Sequence, residues 1–185
     1  MARWQPDAQG RLQQAAVTLF LERGYAEVTV AQIAERAGVT KRTFFNHFTD
    51  KREVLFAGAP SLQASVIKHL AEAGDDRDAI EAAVTALTHA GRELSDYAQF
   101  TRLRQKLIAS APELQERDLI KQAALAAAAA GALRQRGVPE RAAALAAQAA
   151  VTVFTTAYND WGDDPGADFG ALMLRSLDEL RRAVA

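Results

Sequence analysis

The chain of 185 residues contains no cysteine. Disulfides and thiolate metal sites are therefore excluded, and a reducing intracellular setting suits it. No apolar run approaches the roughly 20 residues that a bilayer-spanning helix needs, so no membrane partner is expected. The N-terminal stretch MARWQPDAQG lacks the apolar core of a signal peptide, and a cytoplasmic location is the expectation. Catalytic machinery is missing as well. His47, His69 and His89 share no helical spacing, and there is no glycine-rich phosphate loop. The acid pairs Asp75–Asp76 and Asp163–Asp164 stand at expected helix starts, where carboxylates serve as caps. An enzyme, a metal site and a bound cofactor are all unexpected on these grounds.

Strand-like alternation is absent, and helical period runs through almost every segment, which predicts an all-α fold of about nine helices. Leu12, Ala15, Ala16, Leu19 and Phe20 make one apolar stripe, ended by Gly24. Thr29 suits the N-cap of a second helix bearing Val30, Ile33, Ala34 and Ala37, and Gly38 suits the left-handed turn after it. Thr40 caps a third helix, and Thr49 or Asp50 a fourth. Pro60 removes a helical hydrogen bond and clashes with the carbonyl of Phe56, so a break is expected near 57–60. That break divides a three-helix head, residues 1–56, from a larger helical body, residues 57–185.

In the body, Asp75 or Asp76 starts a helix carrying Ile80, Ala83, Val84 and Leu87, and Ser95 starts another that reaches Ile108. Pro112 opens a long alanine-rich helix that Gly137 ends. Pro139 fits the first turn of the next helix, to about Trp161, and Asp164–Pro165 begins the last.

The net charge is only −1, but its distribution is uneven. Residues 36–52 hold Arg36, Lys41, Arg42, Lys51 and Arg52 against Asp50 alone, five positive charges less one negative, or +4. DNA responds to such a local field rather than to the chain average. The segment Thr29–Lys51 reads as two short helices about a glycine-containing turn, the arrangement that presents a helix end to the major groove. On the third helix the 3.6 period puts Phe44 and Phe48 on one side and leaves Lys41, Arg42, Thr43 and Phe45 elsewhere. Lys41 and Arg42 can reach guanine edges, and Thr43 and Phe45 a thymine methyl. Thr29 and Thr40 would serve as caps with or without DNA, and His47 is open to a packed role.

At this point the residues match a family. The run from Ala16, Leu19 and Phe20 through Gly24–Tyr25, Val28–Thr29–Val30, Ile33–Ala34 and Ala37–Gly38–Val39 to Thr43–Phe48 and Lys51 resembles the TetR/AcrR repressors. The resemblance covers about residues 9–56. It implies that Thr29, Thr40, His47 and Lys51 hold phosphates of a double-stranded DNA operator while Lys41–Phe45 face the groove. Phe45 departs from the family, which often has tyrosine there, so a phenol bond to phosphate is lost.

One such head covers few base pairs, so a homodimer reading a near-palindrome is expected, joined through the last two helices. Ala142, Ala146, Ala149, Ala150 and Val153 offer a smooth face, and Leu172, Leu177 and Leu180 supply bulk. The alternative for these residues is an ordinary monomer core. Arg104 falls inside the apolar stripe of Tyr97, Phe100, Leu107 and Ile108, and a core-facing arginine needs an anion. Two partners stand open: a neighbouring carboxylate, or the anionic end of a small-molecule effector.

The stretch Arg102–Arg117 with the helices after it resembles the C-terminal domain of mycofactocin-type regulators of the same family. This resemblance implies an acyl-CoA-like effector held by Arg104, with Tyr97, Phe100, Leu103, Tyr158 and Trp161 lining a cavity. Plain core packing is the competing role of those aromatics. The expected function is a ligand-responsive transcriptional regulator, a repressor with Gly58–Pro60 as its hinge. A helical interaction protein without DNA binding, and an activator, are the alternatives.

Overall fold

The computed structural model describes residues 8–74, 78–93, 98–164 and 166–185. The expected caps Asp75 and Asp76, the helix start at Ser95, and Tyr97 and Pro165 lie outside the described residues. Those that are described form nine α-helices and no strand. They are α1 (Ala8–Arg23), α2 (Val30–Arg36), α3 (Lys41–His47), α4 (Ala59–Glu72) and α5 (Ala79–Arg92), then α6 (Ala98–Ala109), α7 (Pro112–Gln135), α8 (Glu140–Asp163) and α9 (Phe169–Val184).

Caps fall where short polar side chains can reach the first free N–H groups. Thr29 and Gln32 bond each other's backbone in a capping box, and Thr40 accepts from Thr43 N–H at 3.1 Å. Three starts differ from expectation. The cap of α5 is Asp78, whose carboxylate accepts from Glu81 N–H. Asp168, rather than Asp164, caps α9. Asp164 instead closes α8, donating its N–H to the Asp160 carbonyl, and turns the chain by accepting from Gly166 N–H. The expected fourth helix shrinks to a 3-10 turn, Glu53–Phe56, and Pro60 lies in the first turn of α4, where proline is tolerated.

The chain divides into two compact units. The first comprises Met1–Ala57 together with Lys106–Asp118. Its core takes the α1 stripe of Leu12, Ala15, Ala16, Leu19 and Phe20, with Ile33, Ala34, Phe44 and Phe48 from the next two helices. Val54, Leu55 and Phe56 of the 3-10 turn are also buried, against α1. In the later segment Leu107, Ala111 and Leu114 are buried, and Arg117 forms an ion pair with Glu53. Helical period gives no sign that this segment joins the head, since the pairing spans 64 positions.

The second unit comprises Gly58–Gln105 and Leu119–Ala185. Helix α5 packs against α4, α8 and α9. Alanines of α5, α7 and α8 fill much of the core and let the helices approach closely. Arg136 donates to the carbonyls of Leu70, Ala73 and Gly74 at 2.6–2.8 Å, satisfying the open end of α4. Gly91 sits under Phe169, whose ring lies 2.2 Å from where a Cβ would stand.

Much of the expected smooth dimer face points inward, although Ala142 is exposed and Ala149 and Leu180 are half-buried. Ala146, Ala150 and Val153 of α8 and Leu172 and Leu177 of α9 are buried in this chain's own core. Leu145, Leu174 and the terminal Val184 are the large apolar residues of these two helices left outside, 73%, 64% and 77% exposed. The cause is composition. A helix with alanine on nearly every side has no strong apolar stripe, so period alone does not say which side turns in.

Gly91→Ala is expected to lower stability by about 1–3 kcal/mol through overpacking on Phe169. Gly131→Ala, four residues before the end of α7 and with no neighbouring atom closer than 3.9 Å to the new methyl, is expected to raise it by roughly 0.5–1 kcal/mol. Urea denaturation of the two variants checks both signs.

Candidate nucleic-acid interface

Helix α3 has seven residues, too few to hold together alone in water. Burial holds it. Phe44 is fully buried, and its ring packs on that of Phe48 at 5.5 Å. With Phe44 inside, Lys41, Arg42 and Phe45 are turned out, and Phe45 is 56% exposed, edge-on to Phe44. The turn into α3 needs Gly38 at φ 67°, a conformation that side chains with a Cβ disfavour. Val39 N–H then returns to the Ala34 carbonyl at 2.9 Å. Thr40 and Thr43 share a hydroxyl bond of 2.9 Å beside the first turn. His47 is exposed at the other end, its ring 6.3 Å from that of Phe48, so it is not a core residue. Thr29 is exposed at the start of α2, its hydroxyl engaged in the capping box.

The cations of this region divide sharply. Arg36 makes a two-pronged bond to Glu22, both contacts 2.9 Å. Arg52 bonds Asp50 at 2.8 Å. Lys51 donates to the carbonyls of Tyr25, Val28 and Ala26 at 2.8, 2.9 and 3.3 Å, and lies 4.2 Å from the centre of the Tyr25 ring. Burial lowers the Lys51 pKa, against the opposing fields of Glu113 and Glu27. Among these five, only Lys41 and Arg42 have neither an ion pair nor a side-chain hydrogen bond to the described residues. The local excess of +4 therefore overstates what a partner meets, because Glu22 lies outside the window counted.

Sequence reasoning brought together Lys41, Arg42, Thr43 and Phe45 on one short helix with Thr40 at its start, and the structure keeps them there. Asp50, expected as a cap, accepts from the N–H groups of Arg52 and Glu53, and its bond to the Arg52 side chain, which closes the turn, is what sequence reasoning missed. An aspartate two residues before an arginine after a helix end is the signal that was available.

The expected effector residues are less concentrated. Phe100 and Arg104 are half-buried on α6, Leu103 is exposed, and Arg104 already has an interaction within the fold. On α8, Trp161 is buried and its ring is 6.1 Å from that of half-buried Tyr158. Both rings join Phe154 and Phe169 in an aromatic cluster. Two residues that sequence reasoning passed over tie α6 to α8. Thr101 donates its hydroxyl to the Tyr158 hydroxyl at 3.0 Å, and Gln105 donates to the Tyr158 carbonyl at 3.0 Å. A groove of about 460 Å³ lies elsewhere, between α5 and α9, and a second of about 280 Å³ between α4 and α5. Of the expected effector residues that are described, none lines either.

The Asp50 carboxyl is held below the usual carboxylate range. Burial pushes it up, but the bonds from the Arg52 side chain and from the N–H groups of Arg52 and Glu53 together outweigh that. A depressed carboxyl adds stability above its unfolded pKa and loses it as pH falls through the folded one. Acidification from about pH 5 to about pH 2 is expected to lower the urea midpoint more in the wild type than in Asp50→Asn. Equal losses in the two proteins would count against the Asp50 turn as an acid-sensitive element.

Comparison with known proteins agrees with this head. The family model of bacterial regulatory proteins, tetR family, matches residues 12–57, and that of the MftR C-terminal domain matches residues 75–185, more than half of the chain. An uncharacterised HTH-type transcriptional regulator of Mycobacterium bovis is 32% identical over 87 residues, 47% of this chain and 46% of the relative. The HTH-type transcriptional regulator TtgR of Pseudomonas putida is 36% identical over 75 residues, 40% of this chain and 35% of TtgR. The chain thus spans less than half the length of these relatives. A TetR-family regulator of Syntrophomonas wolfei shares the fold, with a TM-score of 0.63 at 14% identity over 97% of this chain and 96% of the other. No helix among the described residues is long and apolar enough to cross a membrane. Head, body and helical architecture agree: the chain belongs to the tetR family of bacterial regulatory proteins, with a C-terminal domain of the MftR type.

Proposed function

We propose that the protein is a cytoplasmic, effector-responsive transcriptional regulator that represses by binding a near-palindromic operator as a homodimer. One observation carries the reading. Lys41 and Arg42 are exposed and without ion pairs among the described residues, at the capped start of a helix whose other side is locked inward by Phe44. Residues 1–56 are the DNA-binding domain in this reading, and 57–185 the effector and dimer domain. Lys41 and Arg42 reach guanine edges, Arg42 in two-pronged fashion. Thr43 and Phe45 meet thymine methyls, and Thr29, Thr40 and His47 hold phosphates, the threonines beside N-terminal N–H groups.

The MftR-type match supports an acyl-CoA-like effector for the body. Arg104 is its anion partner, with Tyr97, Phe100, Leu103, Tyr158 and Trp161 along the acyl portion. Because Arg104 is already engaged within the fold, the effector must compete for it, which gives binding a route to rearrange α6. Effector then favours a head separation unsuited to the operator and lowers affinity by its differential binding energy. The outer face of the last two helices, with Leu145, Gln148, Thr152 and Leu174, is the dimer surface, since those residues are exposed while the inner alanines are not.

Anisotropy titrations against a duplex selected from random-sequence DNA test the head. Arg42→Gln is expected to cost about 1–3 kcal/mol and to relax specificity at the contacted position. A variant that binds every sequence as the wild type does would overturn the groove role. The dimer is tested by sedimentation. Leu145→Glu with Leu174→Glu is expected to give a folded monomer whose operator affinity falls at least tenfold, and a surviving dimer would place the interface elsewhere.

A further inference from the structure

We infer that Glu113 and Glu116, at the start of α7, act as an electrostatic brake on DNA binding, holding down the sequence-independent attraction of phosphates to the chain that follows α3. Such a brake rests on the DNA-binding reading above and deepens it. Residues Lys106–Asp118 belong to the compact unit of the head. Ala111 and Leu114 are buried there, and the Arg117 guanidinium is bonded to the carboxylate of Glu53, close after Lys51 in the chain. Glu113 precedes Arg117 by one helical turn and shares its face of α7, and Glu116 adjoins it. Both acids are exposed, and neither forms an ion pair with the described residues.

The chain that these acids approach keeps one unmatched charge. Arg52 is matched by Asp50 and Glu53 by Arg117. Lys51 is bonded to carbonyls, which carry no net charge, so its own charge still acts on an approaching phosphate. Burial lowers the Lys51 pKa, and the fields that oppose this come from Glu113 and then Glu27. The Asp50 bond does most to raise the Arg52 pKa, and Glu116 adds its field to that. Field and geometry thus agree that α7 turns its first acids toward residues 51 and 52. A phosphate drawn to Lys51 meets negative charge that α3 itself does not carry. Lys41 and Arg42 stand at the other end of α3. What is weakened is the attraction common to all sequences, and the base contacts at the start of α3 are left to decide the site.

The test uses the full chain with Glu113→Gln and Glu116→Gln together. A first-turn acid also supports the N-terminus of α7, so Glu116→Gln alone is used should the pair fail to fold. Glu140→Gln with Glu179→Gln, two exposed acids of the body, changes the net charge equally and is the control. Anisotropy reads affinity for a duplex selected from random sequence by the wild type, and for an unrelated duplex. At about 0.05 M salt, where the screening length exceeds about 10 Å, each lost charge is expected to tighten binding about twofold on both duplexes, and the pair about fourfold. At about 0.5 M salt the gain is expected to vanish, and the control is expected to stay within about 1.5-fold of wild type throughout. Unchanged affinity at low salt overturns the inference. So does an equal gain in the control, which makes net charge the cause, and so does a gain that survives high salt, which means a rearranged head. Should the wild type select no duplex, the DNA-binding reading fails and this inference with it. The other failures leave wild-type DNA binding in place, so the cases are told apart.

Discussion

The burial of Phe44 is the constraint from which the solvent-facing side of α3 follows. A seven-residue helix has too few internal hydrogen bonds to repay the order it imposes on its backbone. Removing the Phe44 ring from water supplies what is lacking, on the order of 1.5–3 kcal/mol. Once that ring points inward, the helical period leaves no choice for Lys41, Arg42 and Phe45. They face solvent. Gly38 and Thr40 then matter because they permit and cap the turn that delivers α3 to its place.

The cations around this helix obey a second rule: where a partner is near, a charge is used inside the fold. Arg36 goes to Glu22, Arg52 to Asp50, and Lys51 to the carbonyls of a buried turn. Only Lys41 and Arg42 are left at the helix start without such partners among the described residues. The basic surface is therefore narrow, which favours contact at defined positions over diffuse attraction. The ion pairs of Arg36 and Arg52 are partly exposed and add little stability by themselves; their effect is to remove two positive charges from competition.

The body is built differently. Alanine and glycine bring α5, α8 and α9 close, and the larger side chains fill what remains, as Phe169 does over Gly91. Thr101 and Gln105 add polar ties between α6 and α8. Helices α6 and α7 belong to both compact units, since residues 106–118 join the head unit while the helical residues before and after them join the body. A change that moves either helix in the body is thus continuous, through the chain itself, with the segment carrying Arg117 and its bond to Glu53.

Local chemistry was legible in the sequence. The helices, the caps at Thr29 and Thr40, the left-handed Gly38 and the inward and outward sides of α3 all depend on residues within about four positions of one another, the range over which helical period and capping act. The tertiary structure decided the rest. It chose which side of alanine-rich α8 turned inward, moved the cap of α9 to Asp168, and assigned Leu107, Ala111 and Leu114 to the head unit. It also selected which cations stayed available, because their partners lie far along the chain: 14 positions for Arg36 and Glu22, 26 for Lys51 and Tyr25. No local pattern encodes those distances. They exist only once Phe20, Ile33 and Phe44 have drawn their helices onto one core.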